Sequence, residues 1–180
     1  MKLCGLDFET ANICSGSICA VGAVMLEDRC VSERRGYLIK PHEDLDFMSK
    51  VCQDVHKIAY EDLRESPEFP EIWQSVKHLL VAADCVVIHN AVFDLRHLYH
   101  VLKLYDLPAV SFNYLCSLKL CRHCLPGLPG HGLAAMAAEF GITFRHHDAL
   151  EDAETCARIA SQLDFSENFI RRFEYPGNEW

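Results

Sequence analysis

Leu3-Cys4-Gly5-Leu6-Asp7-Phe8-Glu9-Thr10 is the most constrained stretch of this chain. Cys4, Leu6 and Phe8 alternate with Gly5, Asp7 and Glu9. That is the two-residue period of a β-strand, and it puts Asp7 and Glu9 on one face. Two carboxylates side by side on an otherwise apolar strand repel each other, and burying them costs more still. A divalent cation between them relieves both costs, and oxygen ligands suit Mg2+ or Mn2+. A strand that merely ends at a wet edge would carry the same short pattern. Further carboxylates converging on the strand are what would separate the two readings.

The neighbouring segments place this strand in a sheet. Ser17 to Leu26, rich in Ile, Val and Ala, reads as a second strand. Glu27-Asp28-Arg29 reads as a hairpin turn and Cys30 to Ile39 as a third strand, an antiparallel meander ended by Pro41. Residues 42–65 are irregular, with a short helical piece expected near Lys50 to Lys57. Ser66 and Pro67 read as the cap and first residue of a helix. Its stripe of Phe69, Ile72, Trp73, Val76, Leu79 and Leu80 runs to about Val81. Cys85 to His89 is short and apolar, as a buried parallel strand should be, and Ala109 to Leu115 is a fifth strand. Helices are expected over residues 92–104, 117–123, 133–140 and 149–163. The sum is an α/β layout: one mixed five-stranded sheet, meander plus parallel strands, flanked by helices. After Asp164 the pattern weakens, so one domain is expected over residues 1–164 and a tail over residues 165–180.

Two helices carry an aspartate on the wrong face. Ala91, Asp94, Leu95, Leu98 and Leu102 form one core-facing stripe; Ala149, Asp152, Cys156, Ile159 and Leu163 form another. An aspartate on an inner face is unusual unless paired or bound to metal. Both lie in a first helical turn, where the dipole favours a carboxylate, so either alone could be a capping feature. With Asp7 and Glu9 they make four acidic groups able to converge, more than capping predicts. His147 lies five residues before Asp152 and could reach the same site, while its neighbour His146 reads as a surface loop residue. Histidine is the usual residue for taking a proton from water near neutral pH.

Composition narrows the function class. A chain of 180 residues, half of them apolar, can bury one core. It has no apolar run of membrane-spanning length and no secretory signal at its start, so a soluble cytoplasmic protein without membrane partners is expected. Its ten cysteines sit in apolar or mixed contexts, as reduced thiols do. A net charge of −9 argues against a basic-patch nucleic-acid binder. It does not argue against an enzyme acting on nucleic acid, because a cation-loaded acidic site supplies its own positive charge.

Three motifs in order, Asp7-Phe8-Glu9, His89-Asn90-Ala91-Val92-Phe93-Asp94 and His147-Asp148-Ala149-Leu150-Glu151-Asp152, resemble those of the DEDDh branch of 3′–5′ exonucleases. The nearest likeness is to bacterial proteins related to the epsilon proofreading subunit of DNA polymerase III, and it runs from about Leu3 to Ile159. The tyrosine-bearing sister branch would have Tyr where His147 stands. The resemblance implies a ribonuclease-H-like fold and two Mg2+ or Mn2+ ions. By motif match, Asp7, Glu9 and Asp152 hold the metals, Asp94 completes the site and His147 is the general base. Thr10, His56, Ile58, Asn90 and Phe93 match positions that line the terminal-nucleotide pocket. One departure stands out: Lys57 follows His56 where the family often has Gly. The implied reaction releases 5′-nucleoside monophosphates from the 3′ end of single-stranded nucleic acid, DNA being favoured, with the trimming of short RNA as the alternative. A DNA polymerase or other replication or repair protein, and a second copy in a homodimer, are the partners it leaves open.

Two other readings compete. A domain of this type that only holds nucleic acid or a polymerase would lack nuclease activity in Mn2+. A zinc protein would use Cys121 and Cys124 with Cys116 and His131, in a loop rich in proline and glycine.

Overall fold

The computed structural model describes residues 1–177. The meander forms as expected from β1 (Lys2–Thr10), β2 (Ile18–Glu27) and β3 (Cys30–Leu38). Asp28 and Arg29 turn the second hairpin, both with positive φ, which matches the twist of the flanking strands. Between β3 and the next strand come α1 (Lys50–His56), α2 (Tyr60–Arg64) and α3 (Phe69–Ala82). Then follow β4 (Cys85–Ile88), α4 (Val92–Leu104), β5 (Val110–Cys116), α5 (Ser117–Cys124), α6 (Leu133–Glu139), α7 (Ala149–Ser161) and β6 (Arg171–Tyr175).

The sheet has six strands in the order β3-β2-β1-β4-β5-β6. β4 pairs in parallel with both β1 and β5, and the other neighbours are antiparallel. β1 is therefore central, and its two faces serve different helices. Cys4, Leu6 and Phe8 face the core layer shared with α3 and α4, where Trp73, Leu95 and Leu98 are also buried. Each fully buried Leu there contributes about 1.5–3 kcal/mol. Leu3 packs on the opposite layer, with residues of α5, α6 and α7.

α7 lies directly on that second face. A Cβ at Gly5 would overlap the Ala153 carbonyl oxygen, and one at Gly22 the Ala149 carbonyl. Glycine at these two positions lets the helix backbone reach the strand backbone. It also brings the first turn of α7, which carries Asp152, down beside the carboxyl-bearing end of β1.

Two expectations are corrected. The sheet has six strands, not five, because Arg171–Tyr175 of the expected tail pairs with β5. Phe173 and Tyr175 turn inward and Arg172 and Glu174 outward. Five residues that begin and end among charged groups are too short to show that alternation clearly. Residues 178–180 of the expected tail lie outside the described residues. The third helix begins at Phe69, not Pro67, with Glu68 and Glu71 forming its capping box. Pro67 and Glu68 are instead held extended against Lys40, and the Ser66 hydroxyl bonds back to Asp62.

Candidate active site

The strand period sends Asp7 and Glu9 to the face covered by α7. Asp148 caps α7 by accepting from the backbone N–H groups of Leu150 and Glu151, which fixes where the helix starts. Asp152 is one turn later and points at β1. Asp7, Glu9 and Asp152 each offer an oxygen within 4.8 Å of the others. Asp94 arrives from the opposite side of the sheet: it sits in the first turn of α4, is 2% exposed, and its Oδ1 accepts the Phe8 backbone N–H at 3.1 Å.

Electrostatics mark this cluster as strained when its carboxyls ionise with no cation among them. Burial, then the charges of Asp94 and Asp152, pushes the Asp7 carboxyl well above its ordinary value. Burial and the same two aspartates raise Glu9 to about 8. Burial raises Asp94 to about 8 and Asp152 to about 7. Asp152 Oδ1 is buried with no hydrogen-bond partner among the described residues. An unpartnered buried carboxylate oxygen among three more carboxylates is the donor set that a hard divalent cation satisfies.

His147 stands at the edge of this cluster with φ +67°, on the loop before α7. Its backbone N–H donates to Asp152 Oδ2 at 3.2 Å and its Nδ1 lies 3.9 Å from Glu9 Oε1. Partial burial lowers its pKa, so the imidazole is neutral at neutral pH. His146 is an exposed loop residue, as its sequence context suggests, and it also borders the site. Its ring stacks on His147 at 3.9 Å between centroids, and its Nε2 is 3.9 Å from Asp152 Oδ2.

The carboxylates lie in a cleft of about 640 Å3 that Thr10, His56, Asn90 and Phe93 also line. Ile58 lines an adjoining groove on the far side of His147. Both nitrogens of the buried His56 ring are committed to backbone: Nδ1 accepts the Ile58 N–H at 3.0 Å and Nε2 donates to the Thr10 carbonyl at 3.3 Å. The ring thus ties the two flanking positions together. Lys57 has φ +62° at the C-terminal cap of α1, the left-handed conformation glycine adopts most easily, and its side chain is exposed. Sequence reading missed other residues of the cleft wall, among them Ile13, Val51, Val55 and Arg96. The one available signal was the i, i+4 spacing of Val51 and Val55 on the short helix.

The zinc ligands do not assemble. Among the described residues, the groups of converging metal-binding side chains are Asp7, Glu9, Asp152 and His146, His147, Asp152. Cys121 is buried in the core and His131 Nε2 bonds the Leu125 carbonyl at 2.8 Å.

Residues 4–160 match the RNase_T model, whose description is exonuclease. The chain belongs to the RNase_T exonuclease family. It is similar to the DNA polymerase III epsilon subunit of Rickettsia prowazekii, 27% identical over 86% of this chain and 70% of that protein. It also resembles the PolC-type DNA polymerase III of Oceanobacillus iheyensis, 27% identical over 87% of this chain. The exonuclease chain spans only 11% of the length of that polymerase. Among solved structures, the nuclease domain of 3′hExo, a DEDDh family member bound to rAMP, superposes with a TM-score of 0.73 at 18% identity, covering 89% and 90% of the two chains. Exonuclease X in complex with 5′-overhanging duplex DNA gives 0.71 at 22%, covering 89% of each. These likenesses show a shared ribonuclease-H-like fold. The present chain is an exonuclease domain of the RNase_T family, and its converging acidic groups form a donor set for a metal ion. No helix among its described residues is long and apolar enough to cross a membrane.

Proposed function

We propose that this domain removes nucleotides one at a time from the 3′ end of single-stranded nucleic acid, DNA in preference to RNA, releasing 5′-nucleoside monophosphates. The observation that carries the reading is the convergence of Asp7, Glu9 and Asp152 beside the buried Asp94 and the neutral His147. Asp7, Glu9, Asp94 and Asp152 would hold two Mg2+ or Mn2+ ions. When bound, those ions neutralise charge on the phosphate and on the departing 3′ oxygen.

The chain's own groups do the rest. His147 takes the proton of the attacking water as a neutral imidazole. Its backbone N–H donates to Asp152, which ties the base to one of the carboxylates that would hold the metal. Thr10 and Asn90 offer polar atoms at the cleft wall, and His56 holds Thr10 in place. Phe93, 43% exposed, offers a face on which any base can stack, which suits a sequence-tolerant enzyme. DNA is favoured because the relatives named above are a DNA polymerase III epsilon subunit and a PolC-type DNA polymerase III. A polymerase or another replication or repair protein is a partner compatible with that likeness, as is a second copy of the chain.

The test uses 5′-labelled single-stranded DNA and the matched RNA, each with Mg2+, Mn2+ or EDTA, and Asp7→Ala as control. A metal-dependent ladder that shortens from the 3′ end, faster on DNA and absent in the control, is the expected result. Faster shortening of RNA would reassign the substrate. Tight binding without cleavage of either strand would make the domain a binding module.

A further inference from the structure

The cleft has an unusual charge balance. Its floor holds four carboxylates, and the protein as a whole carries −9. Among the described residues that line it, Arg96 is the one lysine or arginine. Other arginines near the site are already neutralised by acidic neighbours. Arg145 pairs with Asp148 at 2.9 Å and Glu151 at 2.8 Å, and Arg34 with Glu154 at 3.0 Å. Arg96 is exposed and pairs with no carboxylate among the described residues.

Its place on α4 gives that free charge a direction. Asp94 turns inward to the carboxylate cluster, whereas Phe93 and Arg96 are three residues apart and so are neighbours on the helix face that borders the cleft. The platform beneath them is stiff. The Phe93 ring lies 4.7 Å from the His97 ring, and His97 Nδ1 accepts the Gly16 backbone N–H at 3.2 Å. Across the cleft stand Ile13, 88% exposed, and Val51, 71% exposed. Apolar groups open to solvent at a cleft mouth, beside a guanidinium with no carboxylate partner among the described residues, suit a strand whose bases seek apolar faces and whose backbone is anionic.

We propose that Arg96 binds a backbone phosphate of the substrate strand other than the one being cleaved. It thereby makes the enzyme prefer oligonucleotides over a lone terminal nucleotide. The scissile phosphate belongs to the carboxylate cluster and its cations; Arg96, on a different face of α4 from Asp94, serves a neighbouring phosphate. This inference rests on the exonuclease reading above.

The experiment compares wild type, Arg96→Gln and Arg96→Lys in Mn2+ on two substrates. One is a single-stranded DNA octamer. The other is the p-nitrophenyl ester of thymidine 5′-monophosphate, which has the scissile phosphate and no other. Arg96→Gln should lower kcat/KM on the octamer about tenfold more than on the ester, through KM rather than kcat. Arg96→Lys should recover part of that loss. The dependence of log KM on log salt for the octamer should become shallower by about 0.7, one single-strand phosphate contact. Equal losses on both substrates, or an unchanged salt dependence, would overturn the proposal. A wild type that cleaves neither substrate, while Asp7→Ala behaves identically, would remove the exonuclease reading itself.

Discussion

Asp152→Asn separates the folding cost of the acidic cluster from its use. The side chain keeps its shape, and an amide oxygen can still accept the His147 backbone N–H that Asp152 Oδ2 now accepts at 3.2 Å. Only the charge is lost. In the folded chain burial raises the Asp152 carboxyl from 3.8 to about 7, with the Asp148 and Glu151 charges adding to it. The sign follows directly. Near pH 4 the carboxyl is protonated in most folded and about half of unfolded chains, so it costs little. As pH rises to 7 the unfolded chain ionises first and the folded state loses stability, and above that range the loss is complete. The gap between the two values corresponds to about 4 kcal/mol. In EDTA, urea unfolding should therefore give nearly equal stabilities for wild type and Asp152→Asn at pH 4. At pH 8 the variant should lead by about 4 kcal/mol, on the order of 10 °C in Tm. Saturating Mn2+ should raise the wild type and leave the variant nearly unmoved, because the cation binds only the intact folded cluster. The variant should also lose nuclease turnover. Equal stabilities at pH 8 in EDTA, or a variant less stable than wild type there, would refute the idea that the cluster is strained for the sake of a cation.

Other outcomes follow from single contacts. Burial lowers the His147 pKa, so the acid limb of kcat at saturating metal should have its midpoint below 6.5; His147→Gln should abolish that limb and cost about 10²–10⁴ in kcat, measured by a pH-rate profile. Lys57→Gly should stabilise the fold by about 0.5–1 kcal/mol in urea unfolding, since φ +62° is strained for lysine and free for glycine. Gly22→Ala forces α7 off the sheet at Ala149 and should cost about 1–3 kcal/mol. The same shift displaces Asp152, so the Mn2+ concentration for half-maximal activity should rise, as a metal titration would show.

Much of the fold was legible because it is written in local periodicity. β1, α4 and α7 each carry their own repeat of apolar residues, and the intrusion of Asp94 and Asp152 into two core-facing stripes was visible without any partner. Lys57 was visible too, as a departure from a family pattern. Its meaning was not, because only the backbone shows that residue 57 is a left-handed helix cap. The start of α3 was misread for a related reason: Ser66-Pro67 is a sound local cap signal, and the bridge to Lys40, distant in sequence, overrode it. β6 was missed because an edge strand of five residues draws its order from pairing with β5.

By itself, then, the sequence determined which residue types lie on which face of each element, and hence which four carboxylates were misplaced. It also carried the three motifs that identify the family. Tertiary structure alone decided that the oxygens of Asp7, Glu9 and Asp152 meet, with Asp94 beside them. Asp7 and Asp152 are brought together from opposite ends of the chain because glycine at positions 5 and 22 removes the Cβ that would hold α7 away from the sheet. It also decided the company each residue keeps: His146 stacked on the catalytic candidate, His56 spent on backbone carbonyl and amide, and Arg96 left, among the described residues, without a carboxylate partner in an acidic cleft. Periodicity is a property of neighbours along the chain. Convergence and unpaired charge are properties of neighbours in space, set by how closely helices and sheet can pack.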